Sequence, residues 1–240
     1  QHIWSNRSCP EARVLYFPKL ENDEEAAYLA QVISAAERAV QRRFPDYPLG
    51  SVRIILVFEN PRAIFRIREM AEALFPYFLG GSLGWHDFLA STARLFRHDA
   101  EYRIPVKADP DIVIRNIKES HDILVQDLGE AGALKIGGMY GILYQSGDIE
   151  SFAACMVGYI RDVVTQLKRG LDGFWVAHPD FVRIGIALVE AWRQQQAAPE
   201  STVLHDVVRA LVPIEAEHAA LLAFIDGPDI EKLDEGDPRY

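Results

Sequence analysis

Cysteine is scarce in this chain of 240 residues, which has only Cys9 and Cys155. Two distant thiols form neither a disulfide framework nor a zinc-binding pattern, so we expect a reducing compartment, the cytoplasm. No uncharged apolar run approaches the ~18 residues of a membrane span. The first residues have no apolar segment of the kind found in signal peptides.

Basic residues are also in deficit, because 25 Lys and Arg face 35 Asp and Glu and give a net charge of −10. An acidic surface repels phosphate backbones, so nucleic acid is not an expected partner. The phosphate-binding P-loop and the dinucleotide fingerprint G-x-G-x-x-G are absent from the sequence. Their absence argues against the enzyme classes built on these motifs.

Short apolar runs alternate with amphipathic segments along most of the chain. Strands are predicted at 14–18, 52–58, 77–83, 133–139 and 174–177, with a further short strand considered at 105–107. Helices are predicted at 24–43, 61–74, 112–128, 149–169 and 180–195, followed by helical segments at about 201–212 and 214–225. Such alternation is typical of a parallel sheet with helical crossovers.

We therefore expect an α/β fold of the TIM type, a (β/α)8 barrel followed by C-terminal helices. Five clear strands fall short of eight, so either three short strands escape the pattern or the chain holds part of a barrel. The expected domains are a partial barrel over 1–195 and a helical extension with an acidic tail over 196–240.

Two acidic residues follow consecutive predicted strands. Glu59 comes directly after the most apolar strand, and Asp87 follows the next one, beside His86. Parallel strands lie about 4.8 Å apart and end at the same edge of a sheet, so the two carboxylates could share one cation. Mg²⁺ accepts such a pair because it retains several waters. Each acid could instead cap a helix or face solvent.

Five segments, in this order, resemble the malate synthase superfamily. The most specific is G-L-D-G-F-W-V-A-H-P at 170–179, which is similar to the family's G-x-D-G-T-W-V-A-H-P. The others are F-P-K-L-E at 17–21, the strand ending at Glu59, L-G-W-H-D-F at 83–88 and G-A-L-K-I-G-G-M at 132–139.

The resemblance implies an acyltransferase of the glyoxylate cycle. In the family, Mg²⁺ polarises glyoxylate, an aspartate removes a proton from acetyl-CoA, and the malyl thioester formed is hydrolysed to malate and CoA. By resemblance, Glu59 and Asp87 would bind the metal. The substrate-binding residues would be Trp85, His86, Asp87, His178 and Pro179, with acetyl-CoA and glyoxylate as partners.

The chain also departs from the family pattern, as a divergent member would. It has no equivalent of the arginine segment R-P-R-G-W-H-L, and Asp226, Asp229 and Asp234 match no motif of the catalytic base. Trp85 and His86 stand where Arg and Trp are usual. We therefore expect the central part of a longer enzyme, with its catalytic residues unassigned. The alternatives are a related lyase that cleaves a 3-hydroxyacyl-CoA or a hydroxy-keto acid, and a barrel without catalysis.

Overall fold

The computed structural model describes residues 1–101 and 115–229, including all of their side chains except those of 115–117. The chain forms two compact units, and their described parts are 1–101 with 115–136 for the first and 137–229 for the second. Five strands belong to one sheet in the order β1-β2-β3-β4-β5, which is also their order in the sequence. The pairs β1–β2, β2–β3 and β3–β4 are parallel. This is the α/β fold expected, with fewer strands in the described residues than a complete barrel has.

The first unit alternates strands with helices. Its elements are α1 (His2–Ser5), β1 (Val14–Phe17), α2 (Asp23–Arg43), β2 (Arg53–Phe58), α3 (Pro61–Ile64), α4 (Ile67–Ala73), β3 (Phe78–Leu83), α5 (Trp85–Leu95), α6 (Arg115–Glu130) and the start of β4 (Leu134–Tyr140).

The centre of this unit is β2, whose residues from Ile54 to Phe58 are all buried. It pairs with β1 through Phe17↔Leu56 and with β3 through Phe58↔Leu83, so the three strands end close together. Because successive strand residues point to opposite faces of a sheet, this unbroken burial means that β2 is covered on both faces, as the continuous apolar run predicted.

Helix α2 packs against α4 and carries a stripe of buried residues at helical spacing: Ala26, Leu29, Ile33, Glu37 and Val40. Asn22 caps its N-terminus, where the side chain accepts a hydrogen bond of 2.9 Å from the Glu25 N–H. The one charged member of the stripe, Glu37, is fully buried and binds the turn that leads into β2.

The second unit is mainly helical. It holds the end of β4, α7 (Ile149–Lys168), β5 (Gly173–Val176), α8 (Asp180–Ala197), α9 (Val203–Leu211) and α10 (His218–Asp226). Its core is formed by α7, which buries Met156, Tyr159, Ile160 and Val163 against α8, α9 and α10. The Asp148 side chain caps α7, and Gly170 follows its end at a φ of 82°.

Five predicted strands are thus present. The segment from Trp85 to Leu95 is the helix α5, and the strand considered at 105–107 lies outside the described residues. The predicted domain boundary between 195 and 196 stays a prediction. In the described part of the chain, every helix is too short or too polar to cross a membrane.

Candidate functional site at the ends of β2 and β3

Glu59 lies directly after β2 and is held in a fixed position. Its side chain is only 5% exposed, and its Oε1 accepts a hydrogen bond of 2.6 Å from the backbone N–H of Lys19. Ser91 Oγ donates to the Glu59 carbonyl oxygen at 3.3 Å. Burial raises the pKa of the Glu59 carboxyl, and the contacts with Lys19 oppose this effect. A carboxylate removed from water in this way is stabilised by a cation at the same site.

Asp87 lies in the first turn of α5, immediately after β3. In contrast to Glu59 it faces solvent, with a side chain 57% exposed. Its hydrogen bond with Lys19 holds the pKa of the Asp87 carboxyl below its usual range. The negative charge of Asp87 also raises the pKa of Glu59. The two carboxylates therefore lie close enough to interact, as expected for residues that follow neighbouring parallel strands.

Lys19 joins the two carboxylates from the end of β1. Its Nζ is 2.8 Å from Asp87 Oδ1 and 3.3 Å from Glu59 Oε1. The backbone of Lys19 has a φ of 69°, the left-handed region that residues other than glycine rarely adopt. In this turn, the backbone N–H and the ammonium of one residue both contact Glu59.

Gly84 sits between β3 and α5 because the site leaves no room for a side chain there. A Cβ at this position would lie 2.6 Å from Glu59 Cβ and 2.7 Å from Val57 Cγ1. The Gly84 N–H donates to the Phe58 carbonyl oxygen at 2.8 Å. The glycine therefore allows the start of α5, and with it Asp87, to approach the end of β2.

Three further polar residues support the site. Asn60 caps α3 by accepting a hydrogen bond of 2.8 Å from the Ala63 N–H, and its Nδ2 donates to the Leu20 carbonyl oxygen at 3.3 Å. Asn60 thereby ties the segment after β1 to the end of β2.

Across the sheet, Tyr16 Oη and Ser82 Oγ are hydrogen-bonded at 2.9 Å. Burial raises the pKa of the Tyr16 hydroxyl, and the charge of Glu59 adds to this effect.

The predicted substrate-binding residues fall in both units. Trp85 and His86 open α5 next to Asp87, with ring centroids 6.0 Å apart. An α-helix leaves its first N–H groups without intrahelical acceptors, so this end of α5 suits an anion. His178 and Pro179 belong to the second unit, at the start of α8, where His178 Nδ1 is 3.4 Å from Asp180 Oδ2. The binding roles of all these residues stay predictions.

The residues that sequence reasoning missed are Lys19, Asn60, Tyr16 and Ser82. Lys19 belongs to the segment F-P-K-L-E, to which the sequence assigned no site residue, although it lies just beyond β1 as Glu59 lies just beyond β2. Its position after a strand that pairs with β2 was the available signal, because parallel strands bring their ends to one edge.

The donor set suits a hard cation with much of its hydration shell. Across residues 1–101 and 115–229, no cluster of three or more His, Cys, Asp or Glu side chains could enclose a metal. Mg²⁺ is commonly held by one or two carboxylates plus waters and substrate oxygens, whereas structural zinc takes four protein ligands. Glu59 and Asp87 therefore fit a magnesium ion.

Comparison with known proteins gives the same family as the five sequence segments. A family model for the malate synthase TIM barrel domain matches residues 5–209. The malate synthase of Streptomyces clavuligerus is 27% identical over 177 residues, covering 73% of this chain and 32% of that protein. Malate synthase A of Escherichia coli is 25% identical over 173 residues, covering 72% of this chain and 31% of that protein. The chain thus spans about a third of the length of these relatives.

Solved structures support the fold. A citrate lyase from Burkholderia xenovorans aligns with a TM-score of 0.53 at 16% identity, covering 93% of this chain and 68% of that one. The lead(II) complex of Haloferax volcanii malate synthase aligns with a TM-score of 0.51 at 14% identity, covering 74% and 44%. The family match covers most of the chain, and the chain belongs to the malate synthase TIM barrel family.

Proposed function

We propose that this chain carries the magnesium- and keto-acid-binding part of a malate synthase-like active site, which condenses acetyl-CoA with glyoxylate to give malate and CoA. The observation that carries the proposal is the convergence of Glu59 and Asp87 on one cation, the Lys19 ammonium, at the ends of adjacent parallel strands. The curated relatives are malate synthases, in agreement with this reaction.

In this proposal Glu59 and Asp87 hold Mg²⁺, which as a Lewis acid would polarise the carbonyl of the keto acid. The two carboxylates have different tasks because their exposure differs. Glu59, buried and hydrogen-bonded, fixes the position of the ion, and Asp87, on the solvent side, admits ion and substrate. The N–H groups that open α5 would bind the carboxylate of glyoxylate, since a helix N-terminus attracts anions.

A complete reaction also needs a base to remove a proton from the methyl group of acetyl-CoA. We assign this role to no described residue, because none matches the family's base. A general base contributes about 10²- to 10⁴-fold in rate. We therefore expect this chain alone to bind the metal and the keto acid and to release thiol from acetyl-CoA slowly.

Calorimetric titration with Mg²⁺ tests the proposal. The parent chain should bind one ion, and Glu59→Gln and Asp87→Asn should each weaken binding by more than about tenfold, the effect of losing even an outer-shell partner. Asp122→Asn is the matched control, because Asp122 pairs with a lysine, as Asp87 does, and its side chain is 55% exposed. Equal affinity in all four proteins would refute the carboxylate pair as the metal site.

A lyase acting on a 3-hydroxyacyl-CoA or a hydroxy-keto acid is the second candidate, because cleavage passes through the same enolate and would use the same carboxylates. Product analysis separates the two reactions. Malate and free CoA from glyoxylate and acetyl-CoA support the synthase. Glyoxylate and acetyl-CoA released from malyl-CoA, with no free CoA formed from glyoxylate and acetyl-CoA, support the lyase.

A further inference from the structure

Lys19 places a positive charge where the proposed function needs a magnesium ion. Its Nζ contacts Asp87 Oδ1 at 2.8 Å and Glu59 Oε1 at 3.3 Å, so the ammonium bridges the two proposed metal ligands. One carboxylate is buried and the other is exposed, and both use an oxygen for this contact. A cation bound by both carboxylates would compete with the ammonium for these oxygens.

The two ways in which Lys19 holds Glu59 are separable. The backbone N–H donates to Glu59 Oε1 at 2.6 Å, and this contact belongs to the turn after β1. The ammonium is at the end of a flexible stem and its side chain is 63% exposed. The side chain can therefore leave the carboxylates for solvent while the backbone contact keeps Glu59 in place.

The burial of Glu59 explains why the Lys19 ammonium is needed at this place. Glu59 is enclosed by protein, and an ionised carboxylate in such a place needs a nearby positive charge. Lys19 supplies that charge from within the chain, and the exposed Asp87 fixes the other side of the ammonium. The ammonium thus favours the ionised form of both carboxylates and holds them in place before a metal arrives.

We propose that Lys19 is a tethered counter-ion that occupies the cation position between Glu59 and Asp87 and is displaced when Mg²⁺ binds. Metal binding is then an exchange of an ammonium for a divalent ion. Lys19 lowers the affinity for the metal because its ammonium competes for the same carboxylate oxygens. This inference rests on the proposed function, since it takes Glu59 and Asp87 as the metal ligands.

The test compares Lys19→Met with the parent by calorimetric titration with Mg²⁺. Methionine keeps an unbranched stem and the backbone N–H but has no charge. Without a competing ammonium, Mg²⁺ should bind roughly three- to tenfold more tightly, the equivalent of one partly exposed charged hydrogen bond. Lys118→Met is the control, because Lys118 forms an ion pair with Asp122 on α6, and its removal should leave the affinity unchanged.

Stability without metal gives a second readout. In the presence of a chelator, Lys19→Met should melt at a lower temperature than the parent, because Glu59 and Asp87 then repel each other without a counter-ion. Mg²⁺ should raise its melting temperature by more than it raises that of the parent. Lys19→Arg keeps a cation and should melt close to the parent in the chelator.

Lysine-selective NMR makes the test independent of whether Lys19→Met folds. The chain has six lysines, so the ¹³Cε signals of the parent protein are few, and Lys19→Arg identifies the signal of Lys19. Titration with Mg²⁺ should shift the Lys19 signal and leave the Lys118 signal in place. An unmoved Lys19 signal at saturating Mg²⁺ overturns the exchange.

The outcomes distinguish this inference from the proposed function. Tighter binding by Lys19→Met, with Glu59→Gln impaired, supports both. Unchanged or weaker binding by folded Lys19→Met, with Glu59→Gln impaired, overturns the exchange and leaves the metal site standing. Absence of Mg²⁺ binding in both the parent and Lys19→Met overturns the metal site and the exchange together.

Discussion

Glu37 is a buried glutamate that holds the turn before β2, the strand that Glu59 follows. Replacing it with a neutral residue should destabilise the protein. Its Oε2 accepts a hydrogen bond of 2.6 Å from the Gly50 N–H. Its Oε1 accepts from the N–H groups of Ser51 and Val52 at 3.0 Å each, and from the Tyr47 hydroxyl at 3.0 Å. These contacts fix the turn that leads into β2, and Glu59 directly follows that strand.

Glu37→Gln tests this role with almost no change in volume. A glutamine has one acceptor oxygen, so its NH₂ group must face either the Gly50 N–H or the cluster of donors on the other side. A buried donor without an acceptor costs about 1–3 kcal/mol, and hydrogen bonds to a charged group are worth about twice those to a neutral one. We expect a loss of about 3 kcal/mol, or about 6–12 °C in melting temperature for a chain of this size.

The measurement is urea unfolding at several pH values, with Glu24→Gln as control. Glu24 lies on the same helix and is exposed, so its change should stay within about 0.5 kcal/mol. Burial raises the pKa of Glu37, but the N–H and hydroxyl donors outweigh it, and the pKa lies below its usual range.

A depressed carboxyl pKa stabilises the fold above the unfolded value, about 4.3 for Glu, and the effect disappears as the pH falls through the folded value. The difference between parent and Glu37→Gln should therefore be complete at neutral pH and shrink below about pH 4.3. A difference at neutral pH no larger than that of Glu24→Gln would refute the role of Glu37.

Two further substitutions have defined outcomes. Gly84→Ala places a Cβ 2.6 Å from the Cβ of Glu59, so it should both lower the melting temperature and weaken Mg²⁺ binding. Gly129→Ala is the control, because a Cβ there would meet nothing within 4 Å, and it should have neither effect. Lys168→Met removes the ammonium that donates to the carbonyl oxygens of Phe224 and Gly227 at 2.6 and 2.7 Å. It should lower the free energy of unfolding by about 1–3 kcal/mol in a denaturant titration, and no change would contradict this capping of α10.

Local signals in the sequence predicted most of the fold. Asn22 and Asp148 cap helices and Gly170 follows a helix end, and capping of this kind depends only on residue types within one turn. The apolar run before Glu59 predicted the buried strand β2. These features are set by neighbours in the sequence, so a sequence pattern is sufficient to find them.

The site could be predicted only in part. Consecutive strand ends brought Glu59 and Asp87 to one place, as expected from parallel pairing. Lys19 was missed because its contact with Glu59 joins residues 40 positions apart. The contact also depends on a left-handed backbone conformation at Lys19, which no local sequence motif indicates. The role of Glu37 was hidden for a similar reason, since a glutamate in a helix usually faces solvent.

Anomalous diffraction from crystals soaked in Mn²⁺ tests the central claim most directly, because manganese is a visible substitute for magnesium. We expect one peak within about 2.5 Å of a carboxylate oxygen of both Glu59 and Asp87, with the Lys19 ammonium moved away from them. A peak elsewhere, or no peak at these two carboxylates in crystals that bind the ion, would contradict it.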